Sequence, residues 1–145
     1  MDIHLVKNIQ NDRFARLAGI ELIKVDPGYA LASMAVEDKH LNGVDMVQGG
    51  ALFTLGDYAF AAACNAGGQP TVGINVSMSF IKSPRGKIIT AEAKEVSTQR
   101  RLCTYQVNIY DEDRSLTAAM LCTGYIKRQD PPPPDIQGES VDDGK

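Results

Sequence analysis

Charged side chains are almost absent from the middle of this sequence. Residues 46–81 contain a single formal charge, Asp57, although 23% of the 145 residues are charged and an average stretch of that length would carry about eight. The charge-poor stretch includes an apolar segment that begins with glycines, residues 48–65. Burying an isolated ionised carboxylate is costly, so a protein that keeps one in such a segment either neutralises it or uses it. Asp57 is therefore the first candidate for a functional residue.

Other absences exclude whole classes of protein. Cys64, Cys103 and Cys122 stand apart without a CxxC pair, which argues against a disulfide framework or a zinc site and indicates buried free thiols in a reducing compartment. The sequence has no basic block with interleaved aromatics, so nothing indicates nucleic-acid binding. It also has no glycine-rich phosphate loop with a lysine, so nothing indicates a nucleotide hydrolase. No signal peptide is seen, and glycine, proline and Asp57 interrupt the apolar run. We expect a cytoplasmic protein that does not cross a membrane.

Periodicity and turn residues divide the chain into a helix, two strands, a second helix and four strands. Apolar spacing predicts a short helix within residues 1–17, ended by Gly19. Strands are predicted on either side of the turn Asp26-Pro27-Gly28 and again after the second helix. The predicted strands are residues 20–25, 29–36, 71–81, 87–96, 101–110 and 115–126. We predict one domain over residues 1–128, with a polar loop at 37–47, and a proline-rich disordered tail over residues 129–145.

The second helix, predicted over residues 50–65, is apolar on every face, which is typical of a helix buried all round. Gly67 and Gly68 end it, and Pro70 prevents its continuation. One antiparallel β-sheet wrapped around one long buried helix is the α+β arrangement that suits this order of elements. Six short strands cover only one side of such a helix, so we predict that a second copy of the chain covers the other.

The start of the second helix has the features of an anion-binding site. Gln48-Gly49-Gly50 leaves free backbone N–H groups, with the helix dipole behind them and no side chains on the glycines. These groups suit an oxyanion hole for a carbonyl under attack. The alternative interpretation of the same residues is an ordinary loop-to-helix turn without a binding role.

Asp57 and this helix start cannot serve one small carbonyl within a single chain. Nine residues separate Gln48 from Asp57, which in an α-helix is a rotation of about 180° and a rise of roughly 13 Å. Two antiparallel chains would bring the two features together. A carboxylate beside an oxyanion donor suits hydrolysis of an activated acyl group, as a general base on water or as a nucleophile. A structural acid, capped by a neighbouring loop, is the alternative for Asp57.

Asn42-Gly43 followed by residues 47–65 resembles the signature of the hotdog-fold acyl-CoA thioesterases, and most of all the phenylacetic-acid-degradation (PaaI-like) branch. The resemblance extends from about residue 19 to residue 128 and includes the strand end at 80–84. It implies a hotdog fold, dimers that form one continuous sheet, and often tetramers. It implies the catalytic carboxylate for Asp57, the carbonyl-polarising N–H for Gly50, and a role for Asn42 in placing substrate or water.

The sequence departs from the family at two positions. Gln48 stands where the family commonly has histidine; both side chains can donate a hydrogen bond, so Gln48 stays among the catalytic candidates. The polar residue that the family places on the strand after the helix aligns with Gly73, which has no side chain, and Asn75 or Ser77 are the nearest substitutes.

By the same resemblance, CoA is part of the substrate, its phosphates lie on the surface near the subunit junction, and neither a metal nor a separate cofactor is expected. Two basic clusters suit those phosphates, although turns collect such residues regardless. The predicted substrate-binding residues are Gly49, Asn75, Lys82, Arg85, Lys87, Arg100 and Arg101.

The function that these features favour is hydrolysis of an aryl- or medium-chain acyl-CoA. A non-hydrolytic acyl-CoA-binding hotdog protein is the alternative, and a hotdog hydratase fits less well because His4 and His40, which we expect at the surface, lie outside the apolar segment. Four residues are candidates for lining an acyl pocket and equally for ordinary core: Phe53, Tyr58, Phe60 and Met78.

Overall fold

The computed structural model describes residues 1–128, which form a six-stranded antiparallel sheet with one long helix across a face. The predicted tail lies outside the described residues. The helices are α1 (Ile3–Gln10), α2 (Arg13–Leu17) and α3 (Gly49–Asn65). The strands, in sheet order, are β1 (Ile20–Asp26), β2 (Tyr29–Ala35), β4 (Ile88–Thr98), β5 (Leu102–Tyr110), β6 (Leu116–Ile126) and β3 (Thr71–Phe80). The predicted α+β class and all six predicted strands are confirmed.

Helix α3 lies close against the sheet because a glycine faces β5 and β6. A Cβ at Gly56 would overlap the sulfur of Met120 and lie 3.3 Å from the Cδ1 atom of Ile109. Any side chain at position 56 would therefore collide with the sheet. This contact fixes the rotation of α3 about its own axis, and so the direction in which the next residue, Asp57, leaves the helix.

Both ends of α3 are held by side chains. Gln48 is the N-cap, and at the other end Asn65 joins the helix to β3. The Asn65 amide donates to the carbonyls of Ala61 (2.8 Å) and Thr71 (3.1 Å), and its oxygen accepts from Thr71 N–H (2.9 Å). The helix ends where the sequence predicts, just before Gly67, and begins one residue earlier than predicted.

The N-terminal segment forms two helices, so the prediction of one helix within residues 1–17 was wrong. Asp2 caps α1 by accepting from the N–H groups of His4 and Leu5, and Asp12 caps α2 by accepting from Ala15 N–H at 2.9 Å. A second N-cap in mid-segment starts a new helix instead of extending the first one.

Helices α1 and α2 pack against α3, and α2 also contacts β1. Asp2 N–H donates to the Ala66 carbonyl at 2.8 Å, and Ala15 of α2 is fully buried. This cover is incomplete, because Gly50 and Phe53 of α3 are exposed and Asp57 is half-buried. In a single chain α3 is therefore open along this stripe, which is the side where the predicted second copy of the chain would pack.

The three cysteines are free and buried, as predicted. Within residues 1–128 no helix combines the length and apolar character needed to cross a membrane.

Candidate active site

At the start of α3, the side chain of the N-cap residue Gln48 occupies the backbone N–H group of Gly50. Gln48 Oε1 accepts a hydrogen bond from Gly50 N–H at 2.6 Å, and Gln48 N–H donates to the His40 carbonyl at 2.8 Å. A Cβ at position 50 would lie 2.5 Å from Gln48 Oε1, so a side chain there would displace the Gln48 oxygen from this contact. The N–H group predicted to polarise a substrate carbonyl is therefore occupied by the Gln48 side chain.

Asp57 is a half-buried carboxylate without a hydrogen-bond donor or ion-pair partner among residues 1–128. Burial raises its pKa, and the negative charge of Asp12 on the capping turn of α2 raises it further. No loop within residues 1–128 caps the carboxylate, whereas a purely structural acid is expected to be capped. A carboxylate with a raised pKa is a better proton acceptor than an ordinary aspartate.

One chain places Gly50 and Asp57 on the same face of α3 but about two turns apart. Seven residues separate them, which corresponds to roughly 10 Å along the helix axis. Phe53 and Thr54 lie between them on this face, with Thr54 Oγ1 donating to the Gly50 carbonyl at 2.8 Å. A small carbonyl bound at Gly50 is therefore out of reach of Asp57 of the same chain.

Asn42 braces the loop before α3. Its side-chain oxygen accepts from the N–H groups of Val44 (3.0 Å) and Met46 (3.1 Å), and its own N–H donates to the Met46 carbonyl at 2.7 Å. The oxygen of Asn42 is thus committed to the loop, and only its amide nitrogen is left to face a ligand.

His40 is buried, with 4% of its surface exposed, so the expectation that it lies at the surface was wrong. Its Nδ1 accepts from Glu37 N–H at 2.9 Å, and its Nε2 lies 2.7 Å from the Ala18 carbonyl, which it reaches as a donor in the neutral tautomer. The His40 carbonyl in turn holds Gln48. Because polar residues surround His40 in the sequence, the sequence does not indicate that it is buried. His4 is exposed, as expected.

In the described part of the chain, the α2 cavity and the β3 cavity lie on different sides of the start of α3. The α2 cavity has a volume of about 680 Å³ and is lined by residues that include Phe14, Leu17, His40, Gln48, Gly50 and Phe53. The β3 cavity has a volume of about 370 Å³ and is lined by residues that include Asn42, Gly49, Phe80 and Lys82. Gln48 and Asn42, both predicted for one site, thus face different cavities.

A β-bulge places Asn75 and Ser77 on the face of the sheet that points away from α3. Pairing of β3 with β6 shifts register between Gly73 and Asn75. After the shift, Asn75 and Ser77 lie opposite Thr123 and the exposed Leu121. Neither side chain can therefore approach α3 of its own chain.

The two basic clusters lie at opposite ends of β4. Lys82, Arg85 and Lys87 precede this strand, whereas Arg100 and Arg101 follow it. Eleven residues of strand separate the clusters by roughly 33 Å. Only the first cluster is near the start of α3, through Lys82 in the β3 cavity.

Of the four candidates for lining an acyl pocket, only Phe53 faces the α2 cavity. Tyr58 and Phe60 are buried in the core, where Phe60 packs edge-on against Tyr105 with ring centroids 5.4 Å apart. Met78 is partly buried against the same core. Residues 1–128 contain no group of three or more histidine, cysteine or acidic side chains placed to hold a metal ion.

Comparison with known proteins agrees with this architecture. The sequence model of the thioesterase superfamily matches residues 45–118, which include Gln48, Gly50 and Asp57. The chain is 33% identical over 110 residues to the acyl-coenzyme A thioesterase PaaI of Escherichia coli strain K12, covering 75% of this chain and 79% of that protein.

Two solved structures show the same fold. The E. coli PaaI protein from the phenylacetic acid degradation operon superposes with a TM-score of 0.78 at 28% identity, over 85% of this chain and 94% of that one. A mutant of the phenylacetic acid degradation protein PaaI from Thermus thermophilus gives a TM-score of 0.75 at 31% identity, over 79% of this chain and 98% of that one. The chain therefore belongs to the thioesterase superfamily, as a thioester hydrolase with the hotdog fold of the PaaI-like branch.

Proposed function

We propose that this thioester hydrolase cleaves acyl-CoA thioesters at a site that two subunits build together. Gly50 N–H of one subunit binds the thioester carbonyl, and Asp57 of the partner subunit drives the attack. The observation that carries the proposal is Asp57 itself: a half-buried carboxylate with a raised pKa and no bonding partner among residues 1–128, on the same stripe of α3 as Gly50.

The proposed reaction begins when the substrate carbonyl displaces Gln48 Oε1 from Gly50 N–H. The Gln48 amide nitrogen is then free to become a second donor to the carbonyl oxygen. Asp57 takes a proton from water as the water oxygen attacks the carbonyl carbon, or attacks that carbon itself to give an anhydride that water hydrolyses. The C–S bond breaks, the sulfur leaves as thiolate and is protonated, and the products are a carboxylic acid and free CoA.

Strand β3 supports assembly into a dimer. It is ten residues long and, within residues 1–128, pairs with β6 along one edge only. Val72 and Ile74 on this strand are 42% and 56% exposed. A long apolar edge strand invites pairing with another strand, and a twofold axis would make both the β3 strands and the α3 helices of two subunits antiparallel. Gly50 of one subunit would then face Asp57 of the partner subunit.

The CoA portion is assigned to the first basic cluster. Lys82 lines the β3 cavity next to Gly49, and Arg85 and Lys87 follow on the same turn. Asp111 accepts from the N–H groups of Arg85 (2.8 Å) and Gly86 (2.9 Å), which holds the backbone of this turn and leaves the basic side chains directed to solvent. Arg100 and Arg101 lie too far along β4 to share a CoA molecule with Lys82 in one chain.

One observation favours the alternative, a protein that binds acyl-CoA without hydrolysing it. The Gln48 side chain fills the position that a polarised carbonyl needs, and a chain unable to release Gly50 N–H would not turn over. In such a protein, replacing Asp57 would leave binding intact and remove no activity.

Release of free thiol from a panel of aryl and straight-chain acyl-CoAs tests the proposal, with wild type and Asp57→Asn compared. We expect turnover by wild type and a loss of about 100-fold or more in the variant, the range for removal of a general base. A ligand-induced rise in Tm without thiol release by wild type would establish the non-hydrolytic protein. Equal turnover by the two proteins would refute the role of Asp57.

A further inference from the structure

The α2 cavity is built partly from residues that lie outside the matched family region of 45–118. Phe14 and Leu17 of α2 form one wall, and Phe53 of α3 forms the facing part. Phe14 and Leu17 are 66% and 70% exposed, although both side chains are large and apolar. Since neither contributes much to the core, their position along the cavity needs another explanation.

The polar groups of the cavity are concentrated at one end. Gln48 and Gly50, which carry the proposed carbonyl-binding groups, lie at the start of α3, whereas Phe14, Leu17 and Phe53 present only carbon to the remaining space. Thr54 and His40 also line the cavity, but the Thr54 hydroxyl donates to the Gly50 carbonyl and both ring nitrogens of His40 are bonded. A ligand with a carbonyl at one end and hydrocarbon beyond it matches this division.

The described lining of the cavity also lacks an unpaired charge to receive an acidic ligand. Among the described residues that line it, Lys39 is the one charged side chain, and its Nζ lies 3.0 Å from the Glu37 carboxylate. A carboxylate at the far end of an acyl chain would lose water without gaining a free cation. The occupant that suits the cavity is therefore neutral as well as apolar.

We propose that the α2 cavity receives the acyl group of the substrate, and that Leu17 and Phe14 set the size of the neutral, apolar acyl group that fits. This inference rests on the proposed function, because it places the thioester carbonyl at Gly50. Helix α2 is then the specificity-determining element, attached to the catalytic helix start through the bond from His40 to Ala18.

Two substitutions at Leu17 test the proposal in opposite directions. Leu17→Ala enlarges the cavity and should raise the ratio of kcat/KM for decanoyl-CoA over hexanoyl-CoA by about 10-fold, whereas Leu17→Trp fills it and should lower that ratio by a similar factor. Phe14→Ala should act in the same direction as Leu17→Ala. Succinyl-CoA should stay a poor substrate of every variant.

The matched control is Ile3→Ala, which removes an apolar side chain of α1 that is 57% exposed and not among the residues that line the cavity. It should leave the decanoyl-to-hexanoyl ratio unchanged. Because all three positions are exposed, we expect every variant to fold, and circular dichroism checks this.

The outcomes separate this inference from the proposed function. Absence of thiol release by wild type from any ester contradicts the proposed function itself. Wild-type hydrolysis with the same ratio in the Leu17 and Phe14 variants overturns the acyl-pocket inference and leaves the hydrolase standing. A change in oligomeric state of these variants by light scattering, without a change in ratio, would assign this wall to subunit contact and also overturns the inference.

Discussion

The side-chain oxygen of Gln48 accepts the hydrogen bond of Gly50 N–H at a distance of 2.6 Å, at the first turn of α3. The sequence predicts these two residues as partners that act together on a substrate carbonyl. In the structure they are instead hydrogen-bonded to each other. In the proposed reaction, the substrate carbonyl therefore has to replace Gln48 Oε1 as the acceptor for Gly50 N–H.

Because of this exchange, Gln48→Ala should bind substrate more tightly but turn it over more slowly. The variant frees Gly50 N–H, so we expect KM to fall, and it removes the second proposed donor, so kcat should fall by about 100-fold. Loss of the N-cap acceptor should also lower the free energy of unfolding by about 1 kcal/mol. Steady-state kinetics with one acyl-CoA measures both parameters.

Gln48→His is the matched control, because histidine keeps a hydrogen-bond donor at the same position. We expect its kcat to stay within about 10-fold of wild type. A Gln48→Ala variant with unchanged kcat would show that Gln48 only caps the helix.

Replacing Asp57 should stabilise the protein while it removes activity. The pKa of Asp57 is higher in the folded chain than in the unfolded chain, so the folded protein binds the proton more tightly. Its contribution to stability is therefore favourable at low pH and is lost as the pH rises through the folded-state pKa. Asparagine cannot ionise, so Asp57→Asn should have a higher Tm than wild type at pH 7, with the difference shrinking as the pH falls through the raised pKa and disappearing below about pH 4. Calorimetry at several pH values tests this, and a lower Tm of the variant at pH 7 would indicate a structural role.

The pH dependence of turnover should change when the negative charge of Asp12 is removed. Asp57 acts as a base or nucleophile only when ionised, so activity should fall as the pH drops through its raised pKa. Asp12→Asn removes a negative charge that raises this pKa, and asparagine still caps a helix well. The acid limb of the pH–rate profile should move to lower pH.

Asp2→Asn is the control for Asp12→Asn, since Asp2 caps α1 in the same way and does not contribute to the shift at Asp57. Its acid limb should coincide with that of wild type. Equal shifts in both variants would mean that overall charge, and not the position of Asp12, sets the profile.

His40→Ala should be strongly destabilising. The ring bonds two backbone groups in a buried position, and its loss leaves Glu37 N–H and the Ala18 carbonyl without these partners. We expect the free energy of unfolding to fall by about 3 kcal/mol. Urea denaturation measures this, with His4→Ala, an exposed histidine, expected within about 0.5 kcal/mol of wild type. Similar stability of the two variants would contradict the clamping role of His40.

The elements of the fold could be predicted because each has a clear period and clear ends. Gly67 and Gly68 mark the end of α3, the Asp26-Pro27-Gly28 turn marks the first hairpin, and the isolated charge of Asp57 marks the candidate site. The break between α1 and α2 has a signal that was missed, since Asp12 is a favourable N-cap residue.

Other features depend on tertiary contacts that no local pattern encodes. The bulge between Gly73 and Asn75 changes which residues of β3 face α3, and one shifted residue moves Asn75 to the opposite face. Burial of His40 follows from a carbonyl twenty-two positions away, at Ala18. The orientation of Gln48 is a choice of rotamer, which the sequence does not specify.

A mixed dimer tests the shared site most directly. Gly50→Pro removes the proposed carbonyl-binding N–H in the first helical turn, where that group has no helical partner, and Asp57→Asn removes the carboxylate. Each variant alone should be inactive. A heterodimer of the two, purified through different tags, contains one site with both native groups if the site is shared between subunits. We predict about half of the wild-type activity per dimer for this heterodimer, from one of its two symmetric sites. An inactive heterodimer of native size would contradict the shared site, because it is the result expected if Gly50 and Asp57 had to act within the same chain.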